Sequence, residues 1–194
     1  VSRTGYYSDG WYTDKTGGTK IASAGQIITH NASNDVLYAH WIPNTYTLSL
    51  APYSGVFPNG TTDLFDVPTQ LVFGSSTLSN IGAYTPTRVG HTFVGWYTSV
   101  TDGTRVYDQN GANVNDGTYW KDNCYIYPYS LRLWARWQVN QYTDTFVCNK
   151  TGFKQVFTGD YNSTYTVPIP TNTGFTFTGW WTQESGGTKV YNGG

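Results

Sequence analysis

Bulky apolar residues alternate with polar or small ones in four short runs: Leu37-Tyr38-Ala39-His40-Trp41, Tyr46-Thr47-Leu48-Ser49-Leu50, Leu133-Trp134-Ala135-Arg136-Trp137 and Tyr142-Thr143-Asp144-Thr145-Phe146. A period of two places alternate side chains on one face of an extended chain. Leu37, Ala39 and Trp41 therefore share one face of a strand, with Tyr38 and His40 on the other. Val, Ile, Thr and aromatic residues dominate these runs, and glycine and small polar residues interrupt them so often that long helices have little room. The pattern predicts a mainly β protein.

The runs belong to a repeat. Gly90 to Thr98 reads Gly-His-Thr-Phe-Val-Gly-Trp-Tyr-Thr, and near copies occupy Gly5 to Thr13 and Gly174 to Thr182. Trp11, Trp96 and Trp180 thus recur at almost equal spacing, and self-similarity of this kind decides the architecture before any other signal. Each copy is followed by a Gly-Thr turn, at Gly17-Gly18-Thr19, Asp102-Gly103-Thr104 and Gly186-Gly187-Thr188. A Leu-x-Ala-x-Trp run closes two of the three, at Trp41 and Trp137. The order within a unit is an alternating strand, a variable middle, the Gly-Trp element, the Gly-Thr turn and a closing strand. Residues 44–139 contain all five parts, residues 1–43 the second half of a unit and residues 140–194 the first half of another. The expectation is an excerpt of a longer, mature array.

Pro86-Thr87-Arg88 before Gly90, Gly95-Trp96-Tyr97, Gly103-Thr104 and the Leu-x-Ala-x-Trp ending at Trp137 resemble the Listeria-Bacteroides repeat, or internalin-type B repeat, of bacterial surface and secreted proteins. The resemblance implies an α+β fold of small ubiquitin-like β-grasp units, each a sheet holding a short helix, here one complete and two partial. On that ground Ser75–Ile81 and Tyr161–Tyr165 are the expected helices. The central unit is longer than its neighbours both before Trp96 and between Thr104 and Trp137. Pro52, Pro58 and Pro68 mark its longer middle as edge or loop structure. The linkers Ile42–Thr45 and Gln138–Gln141 sit at equivalent places and are short, so consecutive units are expected to be close, as in a semi-rigid rod.

Charge narrows the partners. Charged residues make up 12% of the chain, about half the usual share of about 25%, and the formal net charge is −1. There is no electrostatic footprint for nucleic acid or an anionic surface. No apolar run approaches the roughly 20 residues of a membrane helix, so no membrane insertion is expected.

Candidate chemistry is sparse. His30, His40 and His91 occupy unrelated repeat positions, and none has a cysteine or carboxylate at metal-ligand spacing. Glu184, the one glutamate, lies in a Gly-Thr turn. No catalytic residues, metal or cofactor are expected. Asp108-Gln109-Asn110-Gly111 and Asn113-Val114-Asn115-Asp116-Gly117 are rich in oxygen ligands, but their glycine spacing is not that of an EF-hand, and Asx turns are the simpler reading. Cys124 and Cys148 either form a disulfide or remain two separate, partly buried thiols. Trp11, Trp41, Trp96, Trp137 and Trp180 are assigned to the core, because burying an indole is a large share of the stability of so small a domain. Tyr119, Trp120, Tyr125, Tyr127 and Tyr129 form the densest aromatic patch, suited to sugar stacking, to a protein contact or to packing.

Three functions remain. The first is a non-enzymatic stalk or contact module of an extracellular adhesin at the cell surface or cell wall. The second is a carbohydrate-binding module using residues 119–129. The third is a head-to-tail filament subunit, in which half units pair with repeats of the same chain or of another copy.

Overall fold

The computed structural model describes residues 1–29 and 36–193; His30 lies outside them. Its architecture is mainly β, and it separates into two compact units, Val1–Arg88 with Phe93–Trp137 and Val89–Thr92 with Gln138–Gly194.

The first unit opens with β1 (Tyr6–Tyr12), β2 (Lys20–Ala22) and β3 (Tyr38–Pro43) in the sheet order β2-β1-β3. It continues with β4 (Thr45–Tyr46), β5 (Leu48–Ala51), β6 (Phe65–Asp66), β7 (Leu71–Val72), β8 (His91–Tyr97), β9 (Arg105–Asp108), β10 (Trp120–Lys121), β11 (Cys124–Tyr125) and β12 (Leu131–Val139). Five of these form the principal sheet, in the order β6-β5-β12-β8-β9. The closing strand β12 runs parallel to β5, with Leu131 opposite Leu48 and Leu133 opposite Leu50. The second unit holds two hairpins, β13 (Gln141–Cys148) with β14 (Phe153–Asp160), and β15 (Gly179–Trp181) with β16 (Lys189–Asn192).

Period two does the work the sequence implies. Leu48, Leu50, Leu131, Leu133 and Ala135 turn one face of β5 and β12 inward, where they meet Trp96, Val106 and Tyr107 in one core. Trp96 is fully buried between Phe57 and Phe93, whose ring centroids lie 6.0 and 5.4 Å away. Trp180 is buried against Phe146 at 5.0 Å and Phe177 at 5.2 Å, while Trp11, Trp41 and Trp137 are half-buried.

The three Gly-Trp elements share one backbone form. Trp11 lies opposite Ala22, Trp96 opposite Tyr107 and Trp180 opposite Tyr191, and in each hairpin the register slips immediately after the tryptophan. The preceding Gly10, Gly95 and Gly179 have φ of 143°, 142° and 137°. A Cβ on any of them would stand 2.3 to 2.6 Å from a carbonyl oxygen of the partner strand. Only glycine lets the two strands approach this closely at the bulge.

The expected helices do not form. Residues 75–81 hold no helix: Thr77 and Leu78 form a turn, in which Leu78 has a φ of 62°, and the one helical element among the described residues is a 3-10 turn at Gly82–Tyr84. Asn162 has a φ of 65°, which ends any helix begun at Tyr161. Left-handed residues at these two points interrupt the repeating right-handed dihedrals that helix propagation needs.

Candidate interaction site

Each repeat folds its Gly-Thr turn with a pair of threonines. The Thr98 N–H donates to the Thr104 carbonyl at 3.0 Å, and the Thr104 N–H donates to Thr98 Oγ1 at 3.0 Å. Thr13 with Thr19 and Thr182 with Thr188 make the same two bonds at 3.0 to 3.1 Å. Around the first of these turns, Asp9 accepts from the Tyr12 hydroxyl and from Lys20 Nζ at 2.9 Å. The Tyr12 hydroxyl, with the Lys20 ammonium, holds the half-buried Asp9 carboxyl below its ordinary range.

A second motif occurs twice. In the first unit the Asn44 N–H donates to the Gly5 carbonyl at 2.8 Å, and the Asn44 carbonyl accepts from the Phe73 N–H at 3.0 Å. In the second unit Asn140 stands in the same way between Gly90 at 2.9 Å and Tyr161 at 2.8 Å. The Phe73 ring fills the space where a Gly5 side chain would be, 2.3 Å from an ideal Cβ, and the Tyr161 ring fills that of Gly90 at 2.1 Å. Tyr6 meets Phe73 edge-on, as His91 meets Tyr161. Both glycines have positive φ, 78° and 70°. Gly174, the third copy, has a φ of 80° with nothing within 4 Å.

The second unit also contains a groove of about 650 Å³, walled on one side by β13 and on the other by the β15–β16 hairpin. Phe146 and Trp180 meet at its floor. Val190 and Tyr191 on its wall are 53% and 39% exposed, whereas their counterparts Val106 and Tyr107 are fully buried. Groove-facing apolar surface is therefore left uncovered.

The aromatic patch divides. Trp120 and Tyr125 are fully buried, packed on each other at 5.3 Å, and Trp120 also packs on Tyr107 at 5.8 Å. They belong to the core of their own repeat, so of the readings open for the five rings these two residues take packing. The Tyr125 hydroxyl donates to the Tyr129 carbonyl at 2.7 Å, and burial pushes the hydroxyls of Tyr107 and Tyr125 well above the ordinary phenol range. Tyr119 and Tyr127 are half-buried and Tyr129 is 63% exposed, linked ring to ring at 4.9 and 5.3 Å. Composition could not separate the two groups, because core and surface tyrosines look alike in sequence.

Other candidates take local roles. Cys124 and Cys148 are each a free, partly buried thiol. His40 stacks on Tyr12 at 3.8 Å with its Nε2 2.8 Å from the Asp14 carbonyl, and His91 Nδ1 lies 2.9 Å from the Val89 carbonyl. Asp108 Oδ1 accepts from the N–H groups of Asn110 and Ala112, and Asp116 Oδ1 from those of Thr118 and Tyr119. Those oxygens close Asx turns. Among the described residues no three His, Cys, Asp or Glu side chains gather as a metal site.

A thrice-written Gly-Trp bulge with a threonine-paired turn defines a tandem-repeat protein of mainly β architecture. The chain belongs to the Listeria-Bacteroides repeat domain family, which it matches over residues 1–40, 58–120 and 142–194. It is similar to Internalin H of Listeria monocytogenes, 30% identical over 80% of this chain and 27% of that protein. A protein of Evansella cellulosilytica, provisionally described as a membrane protein, is 28% identical over 94% of this chain and 23% of its own length. A second from the same organism, provisionally described as a Gly-rich membrane protein, is 27% identical over 95% and 20%. The chain thus spans about a quarter or less of the length of these curated relatives. No solved structure matches it.

Proposed function

We propose that this chain is a non-enzymatic spacer segment of a bacterial surface protein, built of β-grasp repeats. The observation that carries the reading is the glycine, asparagine and aromatic motif, made twice with nearly the same hydrogen bonds. A motif of this kind couples each linker to the repeat that follows through backbone atoms, which a flexible linker lacks. The sheet order β6-β5-β12-β8-β9, with a parallel central pair, supports the β-grasp assignment. The relatives described as membrane proteins and as an internalin support the surface setting.

The test places the chain between a wall-anchored domain and an epitope tag on a bacterial surface. The repeats should keep the tag accessible to antibody, and a Gly/Ser linker of equal residue number should not. Equal accessibility with both would remove the spacer reading.

A second reading, contact with a glycan or a surface protein, rests on the stacked Tyr119, Tyr127 and Tyr129, of which Tyr129 is the most exposed. A glycan array with the wild type and Tyr129→Ala tests it. If the wild type retains no sugar, the glycan form of the reading fails.

A further inference from the structure

We infer that the outer face of the principal sheet, in the complete repeat, binds an acidic polysaccharide whose sugars carry carboxylates. Leu131, Leu133 and Ala135 of β12 point into the core, so the alternate residues Arg132, Trp134 and Arg136 stand on the opposite face. Tyr97 joins them from β8, with the Arg136 guanidinium carbon 4.1 Å from the centre of its ring. Arg136 Nε and Nη2 both donate to the Ser99 carbonyl, at 3.2 and 3.1 Å, which fixes the guanidinium and leaves Nη1 for a ligand. Arg105 arrives from β9. An ideal Cβ on Gly95 would lie 3.1 Å from its Cδ, so its stem lies across that glycine. Three of the chain's five arginines thus share one face with two aromatic rings.

The cation beside the glycine is written into every copy. Lys20 and Lys189 follow their Gly-Thr turns as Arg105 does, and their Cε atoms lie 2.8 and 2.6 Å from an ideal Cβ on Gly10 and Gly179. In the first copy that charge is neutralised within the fold, where Lys20 pairs with Asp9 in the one ion pair among the described residues. In the complete repeat Val94 stands where Asp9 stands, and among the described residues neither Arg105 nor Arg132, both exposed, has a carboxylate partner. Asp66 and Asp108, on the two edge strands, are already engaged. The first accepts from the Ser49 hydroxyl and the second from two backbone amides. The formal net charge of −1 averages this face away.

The make-up of the face selects among anions. A guanidinium fork matches a carboxylate with two parallel bonds, and the rings beside it suit the apolar face of a sugar. A polymer with one carboxylate per sugar needs only these few cations. Duplex DNA, with a charge about every 1.7 Å, draws its affinity from many phosphate contacts, which three arginines with two carboxylates at the rim do not supply.

Binding of the full chain to polygalacturonate tests the inference, with the carboxyl-reduced polymer, polyglutamate and duplex DNA beside it. The chain should be retained by polygalacturonate alone. Retention should fade from about 0.1 M to about 1 M salt, as the screening length shrinks from about 10 Å to about 3 Å. Arg105→Gln and Arg132→Gln, both at exposed positions, should each weaken binding about tenfold. Val94→Asp gives Arg105 the partner that Asp9 gives Lys20, and should weaken binding with every arginine still present. No retention, retention unchanged in the arginine variants, or equal retention of polyglutamate or DNA overturns the inference. The spacer reading stands in each case, because its test is reach.

Discussion

The ring of Tyr161 occupies the space that a side chain on Gly90 would need: an ideal Cβ there would lie 2.1 Å from the ring. With φ at 70°, Gly90 is bound to glycine by conformation and by contact. Gly90→Ala should lose about 1–2 kcal/mol from the left-handed backbone and about 1–3 kcal/mol more from overpacking. Gly174→Ala, at φ of 80° but in open space, should lose only the first amount. Urea unfolding of the two variants measures the difference, and equal losses would remove the packing role of Tyr161.

The threonine pair of each turn gives a second prediction. Thr98→Val keeps the shape but deletes the oxygen that accepts the Thr104 N–H. The expected loss is about 1 kcal/mol, seen as faster hydrogen exchange at the Thr104 amide with the Thr98 amide less affected.

Tryptophans of equal sequence rank should differ in cost. Trp96 is fully buried, and Trp96→Ala should destabilise the complete repeat by about 3–5 kcal/mol. Its indole nitrogen has no acceptor among the described residues, so Trp96→Phe should cost less than Trp180→Phe loses by breaking its 2.8 Å bond to the Pro168 carbonyl. Trp120→Ala should likewise unfold its repeat rather than merely weaken a binding face. Thermal melts followed by near-UV circular dichroism read all four.

Alkaline pH should act on the complete repeat. The hydroxyls of Tyr107 and Tyr125 titrate above their ordinary value of 10.0 because burial disfavours phenolate. An unfolded chain releases these protons first, so the native state binds more protons once the pH passes 10. Stability is therefore retained below that pH and falls as pH rises further. Tyr125→Phe removes one of the two titrations and should make the alkaline loss less steep, while its lost bond to Tyr129 costs about 1 kcal/mol at neutral pH. A denaturation series from pH 7 to about pH 12 measures both, and parallel profiles would refute the assignment.

The parts legible in the sequence are those set by short-range periodicity. Leu48 and Leu50, or Leu133 and Ala135, show their inward face through alternation alone, and the recurrence of Gly95-Trp96 marks the repeat. Tyr161–Tyr165 was harder, because a short stretch carries too little propensity to decide between turn and helix, and a single left-handed Asn162 resolves it. Trp120 and Tyr125 needed the third dimension, since Trp120 is buried by packing on Tyr107 and Tyr125 by packing on Trp120, contacts that alternation within a strand does not encode. The motif centred on Asn44 and Asn140 left only a faint trace, an asparagine at the same place in two linkers. Its energetics lie in backbone atoms, which every residue type carries.

The paired threonines have one more consequence. Asp14-Lys15-Thr16-Gly17-Gly18, Ser99-Val100-Thr101-Asp102-Gly103 and Gln183-Glu184-Ser185-Gly186-Gly187 bridge identical clasps with little in common beyond the final glycine. An ideal Cβ on that glycine would lie 2.7 to 2.8 Å from the first threonine's Oγ1. The residues ahead of it differ between the three turns while the clasp stays the same, so side chains at the hairpin tips should be exchangeable at constant turn length, leaving the scaffold beneath undisturbed.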